Sequence, residues 1–358
     1  MTTVDHTRDI SISIALAALP AVLSGFNQLI LLDEATGNDL GGARTKAYTD
    51  TTETAADVTA SNLSAAGAAQ INAALAQRPR PAKVYAGRVD TGAGTPETYS
   101  DGLAAVRTDI GDDFFVISMD SRTAAVQVAL ATTVESTDFF LALQSADADW
   151  LTSGVPSGYS TIAAYEQCAV VYHDTGTVYT DSAWMSKWMA ADPDVKCSPG
   201  AVPLKGVSDL ATGLSETQIG HLQTNDGNVA LAQGPEPHFV SRAVNMAGRP
   251  VHEILTATWF ERRLKTDIAT AVAAYGNRNE KWEVTRAGAA HLKAIIESRC
   301  DIGRRARHFS DYEVTVYAPT QADVDAARLR AQVRLVAPNH ALTFSITGYT
   351  SRTEFADA

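Results

Sequence analysis

Residues 114–144 read FFVISMDSRTAAVQVALATTVESTDFFLALQ, and this stretch decides the fold class of the chain. The apolar run at 114–119 is typical of a strand that is buried on both faces. The alanine-rich segment at 121–134 favours a helix, and a second apolar run follows at 139–144. Because a strand, a helix and a strand in this order form a βαβ unit, the two strands are expected to lie parallel in one sheet.

The same alternation extends to both sides of this unit. Further strands are predicted at 9–16, 28–32, 83–89 and 168–172, and further helices at 64–77, 96–110, 160–167 and 181–191. The helix at 96–110 follows from Thr95-Pro96-Glu97, a capping residue with proline at the first helical position. Residues 192–237 contain several turn-forming pairs and are predicted to be a loop-rich connector.

The C-terminal part is dominated by the stretch GRPVHEILTATWFERRLKTDIATAVAAY at 248–275. A strand is predicted at 250–256, and Thr258 with Glu261 matches a capping box that starts a long helix. The helical spacing places Arg262 on the polar face of that helix. The pattern then predicts a helix at 285–302, a strand at 311–317, a helix at 320–332 and a strand at 341–349, which together form a compact α+β unit.

Charge and cysteine content exclude several classes of protein. The chain carries 29 Lys+Arg and 41 Asp+Glu, for a net charge of −12, and residues 1–234 contribute −15 against +3 from 235–358. An acidic chain without a concentrated cationic face is not a general nucleic-acid binder, although acidic and basic surfaces of different copies could dock. Its three cysteines form no CxxC pair, which predicts a reducing compartment. Neither a signal peptide nor a membrane span is expected.

The motifs of catalysis and cofactor binding are incomplete. Gly92-Ala93-Gly94 lacks the third glycine of a dinucleotide loop, and residues 154–158 have proline and serine in the wrong order for a hydrolase elbow. The carboxylate pairs at 147–149 and 192–194 lead into no calcium loop and are expected in solvated turns. We therefore assign no catalytic, cofactor-binding or metal-ligating residue and expect no enzyme, with an α/β enzyme over 95–191 kept as an alternative.

The densest cationic cluster consists of Arg299, Arg304, Arg305 and Arg307, just after the helix predicted at 285–302. Cations at the end of a helix complement its dipole, so a solvated helix end is one interpretation. Docking to an acidic protein surface is the other. Four arginines without interleaved aromatic residues are too few to indicate nucleic-acid binding.

The order of these features resembles the sheath protein of contractile phage tails, in a small myovirus-type version. The stretch at 248–275, KWEVTRAGAAHLKAIIES at 281–298 and ARLRAQVRLVAPNHALTFSITGYTS at 327–351 look like the family's Trp-initiated helix, its next helix, and its closing helix with C-terminal strand. Residues 46–90 are similar to the family's early segment. The resemblance implies a structural subunit that polymerises helically around a tail tube and contracts to drive the tube through the host envelope.

The resemblance also implies a layout with arms. It places a central α/β layer beside a C-terminal α+β sheath-type domain, with extended β-strand arms at both ends that join neighbouring subunits. The expected units are an arm at 1–24, a body at 25–235 with a candidate inserted subdomain within 92–200, a tube-facing domain at 236–340 and an arm at 341–358. The expected arm residues are Ile10, Ile12, Ile14, Leu16, Leu342, Phe344 and Ile346. The alternative is that both terminal strands pair within the sheet of their own chain.

The same resemblance assigns partners and a location. The implied partners are further copies of this chain, the tail tube, and the baseplate and tail terminator proteins, with no cofactor, nucleic acid or membrane insertion. Arg299, Arg304, Arg305 and Arg307 become the candidates for contact with the tube. The implied location is the phage tail of the virion, assembled in the host cytoplasm. A related contractile-injection or secretion-system sheath, or a tail terminator, is the alternative.

Overall fold

A computed structural model describes residues 7–15, 28–34, 40–92, 96–190, 192–195, 203–208, 213–232, 238–240, 242–278 and 281–336. The strands are β1 Thr7–Ala15, β2 Leu29–Glu34, β3 Thr45–Tyr48, β4 Val84–Val89, β5 Val116–Met119, β6 Phe140–Ser145, β7 Cys168–Tyr172, β8 Pro203–Leu204, β9 Asn228–Ala232, β10 His238–Val240, β11 Asp311–Val316 and β12 Arg328–Val336. The helices are α1 Thr51–Thr59, α2 Ala65–Leu75, α3 Tyr99–Ile110, α4 Ala124–Glu135, α5 Thr180–Met189, α6 Glu216–Thr224, α7 Val251–Asn277, α8 Arg286–Arg305 and α9 Gln321–Asp325.

The body of the molecule is a nine-stranded sheet in the order β3-β4-β2-β5-β6-β7-β9-β10-β8. Each neighbouring pair from β4 to β9 runs parallel, whereas β3, β10 and β8 join antiparallel at the two edges. The mixed α/β class and the central parallel layer predicted from residues 114–144 are therefore confirmed.

Helices cover both faces of this sheet. Ile30 and Leu32 face an apolar cluster with α3 and α4, whereas Leu29 and Leu31 face a second cluster with α2 and α5. Every residue of α5 is buried, because this helix lies inside the second cluster. A strand covered on both faces needs apolar residues without alternation, which is the pattern that the strands of this layer show.

The second cluster continues into the C-terminal helices. Trp259, Phe260 and Leu264 of α7, with Leu292 and Ile296 of α8, belong to the same apolar cluster as Leu29 and Leu31 of the body. The backbone amide of Met246 donates to the carbonyl of Cys168 in β7, and β10 pairs with β9. The C-terminal helices therefore share one continuous core with the body.

Two predicted elements of the C-terminal part are wrong. No strand forms at 250–256, because α7 begins at Val251 and Thr258 lies inside it rather than at its start. Val251, Ile254, Leu255 and Trp259 are all buried, so the helix gains burial along its first two turns that a capping pattern cannot reveal. Arg262, which was predicted to lie on the polar face, is only 2% exposed.

The helix predicted at 320–332 is also wrong. It ends at Asp325 as the short α9, and Ala327 has a positive φ of 47° before β12 begins. From Leu329 to Leu335 every second residue is buried, which is the two-residue period of a strand. The helix at 96–110 begins later than predicted, at Tyr99, with Thr98 and Asp101 forming the capping box.

Several elements were missed by sequence reasoning. Helix α1 lies in a segment for which no element was predicted, and the connector predicted at 192–237 contains α6 and β9. The helix predicted at 160–167 is a 3-10 helix at Ser157–Ile162. The predicted strand at 341–349 lies outside the described residues.

Candidate assembly surfaces

A three-stranded antiparallel sheet in the order β1-β12-β11 lies at the C-terminal side of the molecule. Its inner face carries Leu329, Ala331, Val333 and Leu335 of β12, all buried, together with the half-buried Tyr312, Val314 and Val316 of β11. These side chains belong to the cluster that includes α7 and α8. Because one face is buried, the register of this sheet is strongly specified.

Strand β1 pairs along nine residues with β12 of its own chain. In this register Ile10 is opposite Val333, Ile12 is opposite Ala331 and Ile14 is opposite Leu329. The apolar positions of β1 therefore match the buried positions of β12. Leu16, Leu342, Phe344 and Ile346, the other residues expected in arms, lie outside the described residues.

The other edge of the sheet, along β11, has no strand partner within the described ranges. The amide of Tyr317 donates to the carbonyl of Arg330, so Tyr317 and every second residue before it in β11 form hydrogen-bonded pairs with β12. Since antiparallel residues alternate between bonding one neighbour and the other, the backbone groups of Tyr312, Val314 and Val316 point away from β12. They form a row of donors and acceptors to which a further strand could add.

The outer face of this sheet carries charges of both signs, with Arg328, Arg330 and Arg334 on β12 and the exposed Asp311 and Glu313 on β11. Asp323, in the connection between β11 and β12, accepts from Arg328 at 2.9 Å and from Arg330 at 2.9 Å. The bonds from Arg330 and from Thr320 hold the pKa of the Asp323 carboxyl well below its usual range. Arg334, further along β12, is half exposed.

The end of α8 carries a basic surface made of Arg304, Arg305 and Arg307, all exposed. Arg304 pairs with Asp301 at 3.0 Å and lies 5.5 Å from the ring centre of Tyr312. Exposed pairs of this kind contribute little to stability, so the guanidinium groups remain accessible to a partner.

Comparison with solved structures gives a consistent likeness over nearly the whole chain. A chain of the anti-feeding prophage baseplate matches with a TM-score of 0.65 and 15% identity, covering 93% of this chain and 95% of the other. The helical sheath of the same prophage in its contracted state matches with a TM-score of 0.58 and 17% identity, over 94% of this chain and 96% of the other. The chain has the contractile sheath fold.

A third match is the sheath complex, in its contracted state, of an extracellular contractile injection system called PVC. Its TM-score is 0.58 at 12% identity, covering 94% of this chain and 95% of the other. No protein-family model and no curated protein sequence matches the chain. The likeness to the sheath fold is therefore carried by the tertiary structure, at identities of 12% to 17%.

One predicted tube-facing residue does not lie on the basic surface of this sheath fold. Arg299 is 7% exposed and donates two hydrogen bonds to Asp267, at 2.7 and 2.8 Å. It also lies 3.3 Å from Asp194 and stacks over Trp259. Because α8 turns this position toward α7, Arg299 joins the two helices, and only the other three arginines of the cluster are exposed.

Asp194 was predicted to lie in a solvated turn, but it anchors that turn to the C-terminal helices. The Trp259 indole Nε1 donates to its carboxylate at 2.9 Å, and Arg263 lies 3.3 Å away. The adjacent Pro193 carbonyl is bonded by His308, whose ring stacks on Trp259 at 4.2 Å. Burial lowers the pKa of His308, which favours the neutral ring.

Arg262 ties α7 to the body of the sheath fold. It donates to the carbonyls of Phe114 at 3.0 Å and Asp138 at 3.3 Å, and it lies over the rings of Phe115 and Phe139. Burial lowers the pKa of its guanidinium, and nearby carboxylates oppose that shift. No local pattern in the sequence could have revealed this contact, since the carbonyls lie more than a hundred residues away.

The carboxyl end of the parallel sheet is acidic. Asp33 lies near the end of β2, Asp120 follows β5, and the hydroxyl of Tyr99 donates to Asp120 at 2.5 Å. Burial raises the pKa of Asp33 to about 6, while the hydrogen bond from Ser64 lowers it and the charge of Asp120 raises it further.

Across the part of the chain that the structure describes, no group of three or more His, Cys, Asp or Glu side chains is placed to hold a metal ion. Among the same residues, none of the helices combines the length and apolarity needed to cross a membrane.

Proposed function

We propose that this chain is the structural, non-catalytic subunit of a contractile tail sheath that polymerises helically around a tail tube. The observation that carries the proposal is the sheath fold over 93–94% of the chain, seen in neighbours that include two sheaths in the contracted state. The β11 edge supports it further, because no strand among the described residues pairs with it. Strand β1 pairs with β12 of its own chain, so its exchange between subunits is part of the proposal. A phage tail is the proposed setting, in line with the resemblance of residues 248–275 and 281–298 to phage sheath proteins.

A free-standing contractile injection system is the second candidate, because the neighbours belong to an anti-feeding prophage and to an extracellular injection system. Both settings require the same polymer. They differ in whether the tail is attached to a genome-containing head. Electron microscopy of particles purified from producing cells separates them, since headed particles support the phage and headless ones the injection system.

Subunits would be joined by strand exchange at the edges of the three-stranded sheet. The segment around Ile10, Ile12 and Ile14 of one copy would lie along β12 of a neighbour, and residues 341–349 of another copy would add to β11. Strand addition supplies backbone hydrogen bonds, and alternate apolar side chains supply burial. Relative to an unpaired strand, burying three isoleucines contributes roughly 5–9 kcal/mol before ordering costs. Repeated head-to-tail contacts of this kind run on as open helices.

Contraction would use energy stored in the metastable extended polymer rather than a bound nucleotide. The exchanged strands would hold neighbouring subunits together while the α/β bodies of those subunits change their packing against one another. The shared core of the body, α7 and α8 supports movement of each subunit as a unit. The partners at the ends of the polymer would be baseplate and tail terminator proteins, and assembly would occur in the host cytoplasm.

The basic surface at the end of α8 would face the tube. Its exposed arginines, Arg304, Arg305 and Arg307, would pair with an acidic tube surface. Reversing all three to glutamate is expected to abolish co-sedimentation of the subunit with tubes. The matched control reverses the exposed Arg278 and Lys281 at the far end of the helical pair. Unchanged tube binding by the triple variant would remove this assignment.

Deleting residues 1–16 tests the polymer itself. The truncated chain is expected to form no striated cylinders in negative-stain electron microscopy, because it lacks the strand that would be exchanged. The full-length chain is the control. Cylinders formed by the truncated chain would refute strand exchange through the N-terminal segment, and a full-length chain that never forms cylinders would refute the sheath proposal.

A further inference from the structure

Strand β1 occupies, within its own chain, the edge of β12 that the proposed polymer needs for a neighbour. The pairing covers nine residues, from Thr7 opposite Val336 to Ala15 opposite Arg328. A slip by one residue would set the three isoleucines opposite Arg330, Gln332 and Arg334 instead of the buried positions of β12. The register in one chain is thus specific, and it is the register that an identical strand from a second copy would adopt.

We infer that β1 is a self-cap: the unassembled subunit closes its own β12 edge, and a second copy's β1 can dock there only after the resident strand leaves. This inference rests on the proposed function. An open edge beside β12 would invite uncontrolled pairing, which is the hazard that native sheets avoid by covering their edges. The resident and incoming strands have the same sequence, so the exchanged strand makes the same backbone hydrogen bonds with β12. The free-energy cost of exchange therefore lies in releasing the resident strand.

The self-cap would require strand β1 to be released before a subunit can join the polymer through its β12 edge. Among the described residues no strand pairs with the β11 edge, whereas β1 closes the β12 edge. A subunit must therefore release β1 before it can accept a second copy's strand at β12. Free subunits would remain monomeric until the end of a growing polymer captures the released strand. This favours elongation of existing polymers over nucleation of new ones.

A disulfide tests the cap directly. Ser11 is opposite Gln332, and the phase of the β11–β12 ladder makes this a non-hydrogen-bonded pair. Such pairs have the closer Cα atoms, within the range that a disulfide spans. The variant Ser11→Cys with Gln332→Cys is made in a Cys197→Ser background, since Cys168 and Cys300 are buried. The unassembled protein is oxidised with oxidised glutathione, which is itself reduced to glutathione.

The expected result is an intrachain disulfide, loss of sedimentable polymer in the oxidised protein and recovery of polymer after reduction with dithiothreitol. The single variant Ser11→Cys, treated identically, should polymerise throughout. Failure to form the intrachain bond, or normal polymerisation of the oxidised double variant, would overturn the self-cap. If the reduced variant and the parent chain both fail to polymerise, the proposed function fails instead, and the intrachain bond still reports whether β1 pairs within its own chain.

Discussion

Replacing Asp33 with asparagine should stabilise the protein at neutral and alkaline pH. The carboxyl is 2% exposed, accepts from the Ser64 hydroxyl at 2.5 Å and feels the negative charges of Asp120 and Glu34. Burial is the main reason that its pKa rises from 3.8 to about 6. One pKa unit corresponds to about 1.4 kcal/mol, so ionising Asp33 in the folded chain costs about 3 kcal/mol.

The sign of the pH dependence follows from this shift. The folded chain keeps its proton to higher pH than the unfolded chain, so the native protein loses stability as pH rises from about 4 to about 6 and stays at the lower level above that. Asparagine carries no charge and has one acceptor oxygen, so it keeps the bond from the Ser64 hydroxyl but loses the bond from the Ser64 backbone amide at 3.3 Å. That loss costs about 1 kcal/mol, so the variant should gain about 2 kcal/mol at pH 8 and be about 1 kcal/mol less stable than the parent at pH 4.

Urea unfolding of both proteins at pH 4 and pH 8 measures the effect. Asp50→Asn is the matched control, since backbone amides of Glu53 and Thr52 lower the pKa of this N-cap carboxyl, and its loss should not stabilise the protein at pH 8. An Asp33→Asn variant that is no more stable than the parent at pH 8, or equally stabilised at both pH values, would contradict the assignment of a costly buried charge.

Three further substitutions test the contacts described above. Arg262→Ala should lower the free energy of unfolding by about 3 kcal/mol, because the buried Phe114 carbonyl and the part-buried Asp138 carbonyl lose a charged donor. The exposed Arg278→Ala should change it by less than about 0.5 kcal/mol in the same urea titration. Trp259→Phe removes the hydrogen bond to Asp194 and should cost about 2 kcal/mol, and an unchanged urea midpoint would show that the anchored turn does not contribute. Val314→Pro removes an amide that points away from β12, so the monomer should keep its circular dichroism spectrum but form no polymer. Val314→Thr, which keeps the amide, is the control, and polymers of the proline variant would exclude strand addition at β11.

Sequence reasoning located most of the parallel sheet because its strands are local, apolar and bounded by turn residues. The predicted and observed bounds of β7 coincide at 168–172, and those of α2 and α8 differ by at most three residues at either end. Ser64 and Thr285 cap these two helices as the pattern requires. Capping and periodicity are properties of neighbouring residues, so a sequence contains them in full.

The errors lie where long-range packing overrides local preference. Residues 250–256 have the composition of a strand, but their burial against the body and α8 draws them into α7. Arginine alternates with small and apolar residues in β12, and the strand forms by pairing with the preceding β11 and with β1 from the other end of the chain. The exposed fraction of Arg262 and Arg299 could not be predicted either, since their partners are carbonyls and carboxylates from distant elements.

The sequence by itself determined the alternating α/β body, the difference in net charge between the acidic first part of the chain and its slightly basic last part, and the absence of complete catalytic motifs. It also suggested the sheath family through the order of modest motifs. Only the tertiary structure decided that β1 closes the β12 edge of the three-stranded sheet, and which arginines of the α8 cluster face solvent. Strand pairing and side-chain exposure depend on which surfaces meet in space, and residues far apart in the chain supply those surfaces.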